Sequence, residues 1–166
     1  MPLTMMPLDL ARWDESARDT IALPVFKTDR PLRGAAGLVD WRLCGRLSRL
    51  VKANRATGEA GETLLLPPGR RLRFKKVMWF GLGDAKGYSD DRFKHDVGWI
   101  VDVVAKAGIT EWVLQAPGRA SGLIGARRAV ELILDDAELA DRTATLTLLE
   151  DPAGQKDVAE LLRNAR

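Results

Sequence analysis

Apolar residues along this chain switch between spacings of two and of three or four, several times over. "DLARW" (Asp9–Trp13) alternates and reads as a strand. "TIALPVF" (Thr20–Phe26) is a short apolar run, and Pro24 inside it points to an edge strand or a strand end. From Gly34 to Ala53, the residues Ala36, Val39, Leu43, Leu47 and Leu50 mark one amphipathic helix. "GETLLLPPG" predicts a strand at Thr63–Leu66, stopped by Pro67, Pro68 and Gly69, and "KKVMWFGLG" predicts the next, centred on Val77–Phe80. Ser89 caps a helix with Asp90 and Asp91 in its first turn, where the dipole favours acids. Its buried stripe is Phe93, Val97, Ile100 or Val101, and Val104, and Gly108 ends it.

The alternation continues towards the C-terminus. "EWVLQAPG" (Glu111–Gly118) reads as a strand, and a helix starting at Ser121 turns Leu123, Val130, Ile133 and Leu134 inward. "TATLTLLE" (Thr143–Glu150) alternates as a strand, and a last helix runs from about Gln155 to Arg163. Interleaved strands and helices imply an α/β sandwich with a mixed or mostly parallel sheet. The 166 residues suit a single domain spanning 1–166 with a real core.

No apolar run is long enough for a membrane span, and "MPLTMMPLDL" lacks the basic start and long apolar stretch of a signal peptide. A cytoplasmic protein without membrane contact is expected. The one cysteine, Cys44, sits among Leu43, Leu47 and Leu50 and is expected to be buried. Charge is uneven. Residues 1–83 carry 15 Lys and Arg against 8 Asp and Glu, whereas residues 84–166 carry 11 against 15. Such a division suits an acidic partner or pairing between copies.

"VMWFGLGDAKGYSDD" (Val77–Asp91) has the outline of a phosphate-gripping loop: strand, close glycines, helix start. Gly81, Gly83 and Gly87 are spaced one residue too long for a dinucleotide fingerprint, and Lys86-Gly87-Tyr88 does not supply a P-loop. Two readings stay open: glycines that free the backbone at a tight turn, or an anion site at the Ser89 helix start. The one histidine, His95, shares a helical face with Asp91, on the polar side. Asp90-Asp91 reads as capping and Asp135-Asp136 as a helix end. No metal ligand set and no catalytic residue is expected. Arg42, Arg46, Arg49, Lys52 and Arg55 form a basic stripe, and Arg70, Arg71, Arg73, Lys75 and Lys76 form a second basic cluster. Together they suit phosphate groups or a nucleic acid, against the plain alternative of a solvated face.

"LPVFKTDRPLRGAAGLVDWRLCGRLSRLVKANRATGEAGETLLLPP", "FKKVMWFGLGDAKGYSDDRFKHDVGWIVDVV" and "RRAVELIL" together resemble the N-terminal domain of the leucyl aminopeptidases, peptidase family M17. The resemblance covers roughly Thr20–Leu134. It includes a helix with a leading Asp (Asp40), the Gly58–Glu62 segment before a strand, and the Gly81-Leu82-Gly83 strand end. It implies a macro-domain-like fold: a three-layer sandwich, with a mixed, mostly parallel sheet between helices. "LRGAAGLVD" (Leu32–Asp40) also resembles the glycine-rich turn by which macro domains contact a diphosphate, with Ala35 and Ala36 in place of glycines. In that family the peptidase chemistry lies in a separate C-terminal domain with a two-metal site, and nothing here resembles it.

The expectation is a non-catalytic, stand-alone domain acting in binding, assembly or regulation, with no cofactor. Its partner would be itself or a separate catalytic chain. In the family this domain lies at the periphery of a hexamer and in some members takes part in DNA binding. The alternatives are a macro-like module holding a nucleotide or phosphate at Gly34, Gly37, Asp40, Gly81, Gly83, Asp84 and Ser89, and a weak nucleic-acid surface at Arg42, Arg46, Arg49, Lys52, Arg70, Arg71 and Arg73.

Overall fold

The computed structural model describes residues 3–16 and 18–165; expectations that touch Met1, Pro2 and Arg166 lie outside them. In chain order the elements are β1 (Thr4–Pro7), α1 (Leu10–Glu15), β2 (Thr20–Phe26), α2 (Gly34–Arg42), α3 (Arg46–Lys52), β3 (Thr63–Leu66), β4 (Lys76–Gly83), α4 (Asp90–Lys106), β5 (Trp112–Leu114), α5 (Ala126–Leu134), α6 (Ala137–Arg142), β6 (Leu146–Glu150) and α7 (Pro152–Asn164). Six strands form one sheet in the order β1-β6-β5-β2-β4-β3. Every pairing is parallel except that of β3 with β4. The expected three-layer, mostly parallel α/β sandwich is the observed architecture.

Strand residues alternate between two cores. Ile21, Leu23, Val77, Trp79, Val113 and Leu149 face Trp13 of α1, Val39 of α2 and Leu47 of α3. Ala22, Met78, Phe80, Trp112, Leu114 and Leu148 face α4 to α7. A strand buried on both faces must be apolar throughout, which is why β2 and β4 read as continuous apolar runs. The spacing predicts Leu47 and Val97 as core residues on facing helical stripes; both are fully buried, but on opposite sides of the sheet.

Several elements differ from the sequence expectation, each for a local reason. Asp9–Trp13 is no strand: the Asp9 carboxylate accepts from Ala11 N at 2.8 Å and caps α1. Trp13 is buried there, its indole N–H donating to Pro7 O at 2.7 Å. β2 is central and not an edge, yet β5 runs beside only Thr20–Ala22. At Pro24 the sheet continues on the β4 side alone, which accommodates a missing N–H. The helix expected over Gly34–Ala53 breaks in two at Cys44 and Gly45, with φ of 56° and 81°. Asp40 bridges the break, accepting from Ser48 N and Ser48 Oγ. The apolar stripe survives it, but Cys44 swings out and is exposed rather than buried.

After β5 the chain leaves the sheet at Gln115, and α5 starts at Ala126 rather than Ser121, so Leu123 and Leu134 are partly exposed. Asp135 and Asp136 close α5 and open α6, a helix absent from the sequence expectation, and β6 starts at Leu146 rather than Thr143. The helix capped by Ser89, with Phe93, Val97, Ile100, Val101 and Val104 buried, is as expected.

Leu47→Ala and Val97→Ala are each expected to cost about 2–5 kcal/mol through lost burial and a residual cavity. Because the sheet separates the two sites, the double variant should lose the sum to within about 0.5 kcal/mol. Urea unfolding of the four proteins checks this; strong non-additivity would contradict the two-core arrangement.

Candidate functional site: the crest of the sheet and the α2–α3 face

In a parallel sheet the crevice beyond the carboxyl ends of the strands is where ligands bind. Here those ends carry the loops after β2, β4 and β5 and the start of α7. Gly34 and Gly37 lie in α2, Gly81 and Gly83 end β4, and Asp84 and Ser89 lead into α4. β2 runs between β4 and β5, so the two glycine groups flank it on different sides.

The glycines of β4 are explained by a backbone crossing. Gly81 N donates to Glu62 O at 2.7 Å, Gly83 N to Gly58 O at 2.8 Å, and Gly61 N to Gly81 O at 3.2 Å. A Cβ at Gly81 would collide with the Glu59 carbonyl, and Gly83 has φ 79°. Both amides are thus committed to the 58–62 segment. That segment is held by Glu62, whose carboxylate accepts from Thr57 N, Thr57 Oγ1, Gly58 N and Trp79 Nε1 at 2.7–3.0 Å. Burial pushes the Glu62 carboxyl up, but these donors outweigh it and hold it below the usual range. Asp84 accepts from Lys86 N, and Ser89 Oγ from Arg92 N.

At α2 the helix N-terminus is occupied from within. Gln115, buried, places its amide oxygen 2.8 Å from Ala35 N. A Cβ at Gly34 would strike that oxygen, so the glycine leaves room for the glutamine. Ser121 Oγ donates to Asp29 at 3.0 Å, tying the loop after β5 to the loop after β2. Tyr88 stacks edge-on against Phe26 with ring centres 5.0 Å apart, and donates to the buried Asp96 at 3.0 Å. Burial pushes both groups' pKa values up. His95, which the spacing places beside Asp91, is instead within 3.5 Å of Asp96 Oδ1 and exposed. Arg119 donates to both oxygens of the buried Glu150 at 2.7 and 2.8 Å and to Ile124 O at 3.0 Å. The crest is packed with the chain's own polar groups. Of these, only Gln115 leaves a sequence trace, as a polar residue inside an apolar run.

The basic residues converge as a surface. Arg42 pairs with Asp14 at 2.8 Å and donates to Arg71 O, and Arg46 donates to Pro67 O. The hydrogen bond from Arg42 holds the Asp14 carboxyl below its usual range. Arg49 donates to Cys44 O at 2.7 Å and Arg71 to Cys44 Sγ at 3.0 Å. Arg70 and Arg71 form a 3-10 turn, and Arg73 is exposed beyond it. Arg46, Arg49 and Arg71 therefore keep their charge beside carbonyls or a thiol. Beside them Trp41 is 72% exposed. Among the described residues no group of three or more His, Cys, Asp or Glu is placed to hold a metal ion, and no helix is long and apolar enough to cross a membrane.

A sequence profile of the cytosol aminopeptidase family, N-terminal domain, matches residues 22–143. The chain belongs to that family. It is 25% identical to a probable cytosol aminopeptidase of Pseudomonas syringae pv. tomato, over 92% of this chain and 34% of that protein. A Burkholderia multivorans relative of the same description is 36% identical over 43% of this chain and 15% of its own length. The chain thus spans about a third of the first of these relatives and less of the second. Among solved structures, a tomato leucine aminopeptidase mutant superposes with a TM-score of 0.59 at 13% identity, covering 95% of this chain and 35% of that one. A Trypanosoma brucei macrodomain in complex with ADP-ribose gives 0.69 at 14% identity, covering 96% and 68%. At these identities the structural likeness establishes the fold.

Glu62→Gln is expected to cost about 1.5–3 kcal/mol at pH 7, since it removes charge-assisted bonds. With a folded pKa below the ordinary 4.5, the stabilisation is fully present above the unfolded value and is lost as pH falls through the folded one. Urea midpoints of the two proteins should therefore converge as pH falls below 4.5 and through the folded value. A gap that widens on acidification would contradict the assignment.

Proposed function

We propose that this domain works through protein contact and not through chemistry of its own. It is the N-terminal, non-catalytic part of a cytosol-aminopeptidase-type assembly, and it docks on a metal-bearing catalytic portion, in the same or a separate chain. One observation carries the reading: the crest where this fold would take a ligand is filled by Gln115, Tyr88 and Arg119, while the α2–α3 face stands open around Trp41. Exposed tryptophan beside arginine is the residue chemistry of protein interfaces. The match to the N-terminal domain profile alone supports a domain without peptide hydrolysis, and relatives described as cytosol aminopeptidases support a cytoplasmic setting.

A second reading, contact with a polyanion, is favoured by the convergence of Arg46, Arg49, Arg70, Arg71 and Arg73 on one surface. Gel shifts at several salt concentrations test it, each lost phosphate contact lowering the salt slope by about one.

The purified protein is expected to show no saturable heat with ADP-ribose and no chelator-sensitive turnover of leucine p-nitroanilide with manganese or zinc. It should form a complex with a cytosol aminopeptidase catalytic portion, seen by light scattering. Saturable ADP-ribose binding would instead favour the macro-like ligand reading. Metal-dependent turnover that survives further purification would overturn the non-catalytic one.

A further inference from the structure

Where α2 turns into α3 the surface is hollowed. Two adjoining hollows of about 270 Å³ and 440 Å³ share Pro31, Leu32 and Ser48 and form one trough. Trp41 stands on one wall, and Val51 and Lys52 on another. The carboxylates that line it are already engaged: Asp29 with Phe26 N and Ser121 Oγ, Asp40 with Ser48. The two cations that line it have no carboxylate partner: Arg30 donates only to Lys27 O, and Arg30 and Lys52 make no ion pair among the described residues. Arg49 and Arg71, outside the lining, meet Cys44 at its carbonyl and thiol. An apolar floor, an exposed indole and a cationic rim fit an acidic surface with an apolar anchor.

This chain carries such a surface. At the corner between α5 and α6, Leu134 is 38% exposed and is followed by Asp135 and Asp141, which make no ion pair among the described residues, by Asp136, which caps α6, and by Glu138, which lies 3.7 Å from Arg142 yet is exposed. The corner belongs to the helical layer on the far side of the sheet from α2 and α3. A molecule cannot bring its own corner to its own trough, so complementarity is met only between copies. A contact between two different patches of identical chains is heterologous and runs head to tail. We propose that a second copy of this protein docks its Leu134–Asp141 corner in the Pro31–Trp41–Lys52 trough, with Leu134 as the anchor against the indole. The contact uses the same Trp41 face as docking on a catalytic portion and competes with it, so it is tested on this protein by itself, where its failure leaves the other reading untouched.

Sedimentation velocity across a concentration series at low and high salt tests the proposal. Wild-type mass is expected to rise with concentration and to fall back with salt, as screening weakens the rim. Trp41→Ala should weaken the dissociation constant at least about tenfold. Trp41 is exposed, so the variant should keep its urea midpoint. Arg30→Glu with Lys52→Glu, and separately Asp135→Lys with Glu138→Lys, should each yield monomers. Mixing these two charge-reversed variants should restore association, since each reversed patch then meets its complement. A wild type that stays monomeric at low salt would overturn the proposal, as would indifference to Trp41→Ala or a mixture that fails to associate.

Discussion

The burial of β4 on both faces is the constraint from which most of this structure follows. From Val77 to Gly83 every residue is buried. A strand without a solvent face needs helices above and below, which is why α1–α3 and α4–α7 form separate layers. It also needs its backbone satisfied on both edges. β2 does this on one side over the full length. On the other, β3 is too short, and the 58–62 segment completes the pairing at Gly81 and Gly83. Glu62 is the keystone of that segment, because its single carboxylate fixes the loop and the Trp79 indole together.

The same logic governs the crest. Buried donors must be satisfied, and here side chains of the fold itself satisfy them. The second amide of α2, that of Ala35, meets the Gln115 oxygen, and Arg119 meets Glu150 in a buried two-pronged pair. Such a pair holds the loop after β5 against the end of β6, since separating the partners would strand a charge in a dry site. Gly34 belongs to this arrangement, since a Cβ there would strike the Gln115 oxygen. A fold shared with a macrodomain in complex with ADP-ribose does not by itself say what this chain holds, because function resides in the groups that line the crest.

While the polar groups of the crest are hydrogen-bonded within the fold, the surface carries unevenly spread charge. The two helical layers differ in charge. The arginines of α3 and of the Gly69–Arg73 stretch lie outside one core, and the acids around α6 lie outside the other. The break at Cys44–Gly45 shapes this surface. It bends the chain between two short helices and opens the trough beside Trp41, where one continuous helix would have presented a smooth ridge.

Periodicity alone determined the fold class, the central strands, the helix capped by Ser89 and the faces that Leu47 and Val97 bury. These are properties of single segments, where each residue's burial is set by its own spacing. The resemblance carried by Gly58–Glu62 and Gly81-Leu82-Gly83 added the family. Periodicity misread Asp9–Trp13, because one cap hydrogen bond decided between two patterns of similar apolar spacing. It joined α2 to α3, because a break that preserves the helical face leaves the apolar stripe unbroken. It read Thr20–Phe26 as an edge strand or a strand end at Pro24, because strand order is absent from local sequence; the strand is central, with Pro24 past the end of its pairing with β5. What only the tertiary structure decided is which distant groups meet: Ala35 with Gln115, Gly81 with Glu59, Arg119 with Glu150. These contacts span from about 20 to 80 residues of chain, and no local spacing encodes them. They determine whether a glycine turn grips a ligand or grips the protein itself, since a backbone amide is available only when nothing else in the fold has claimed it.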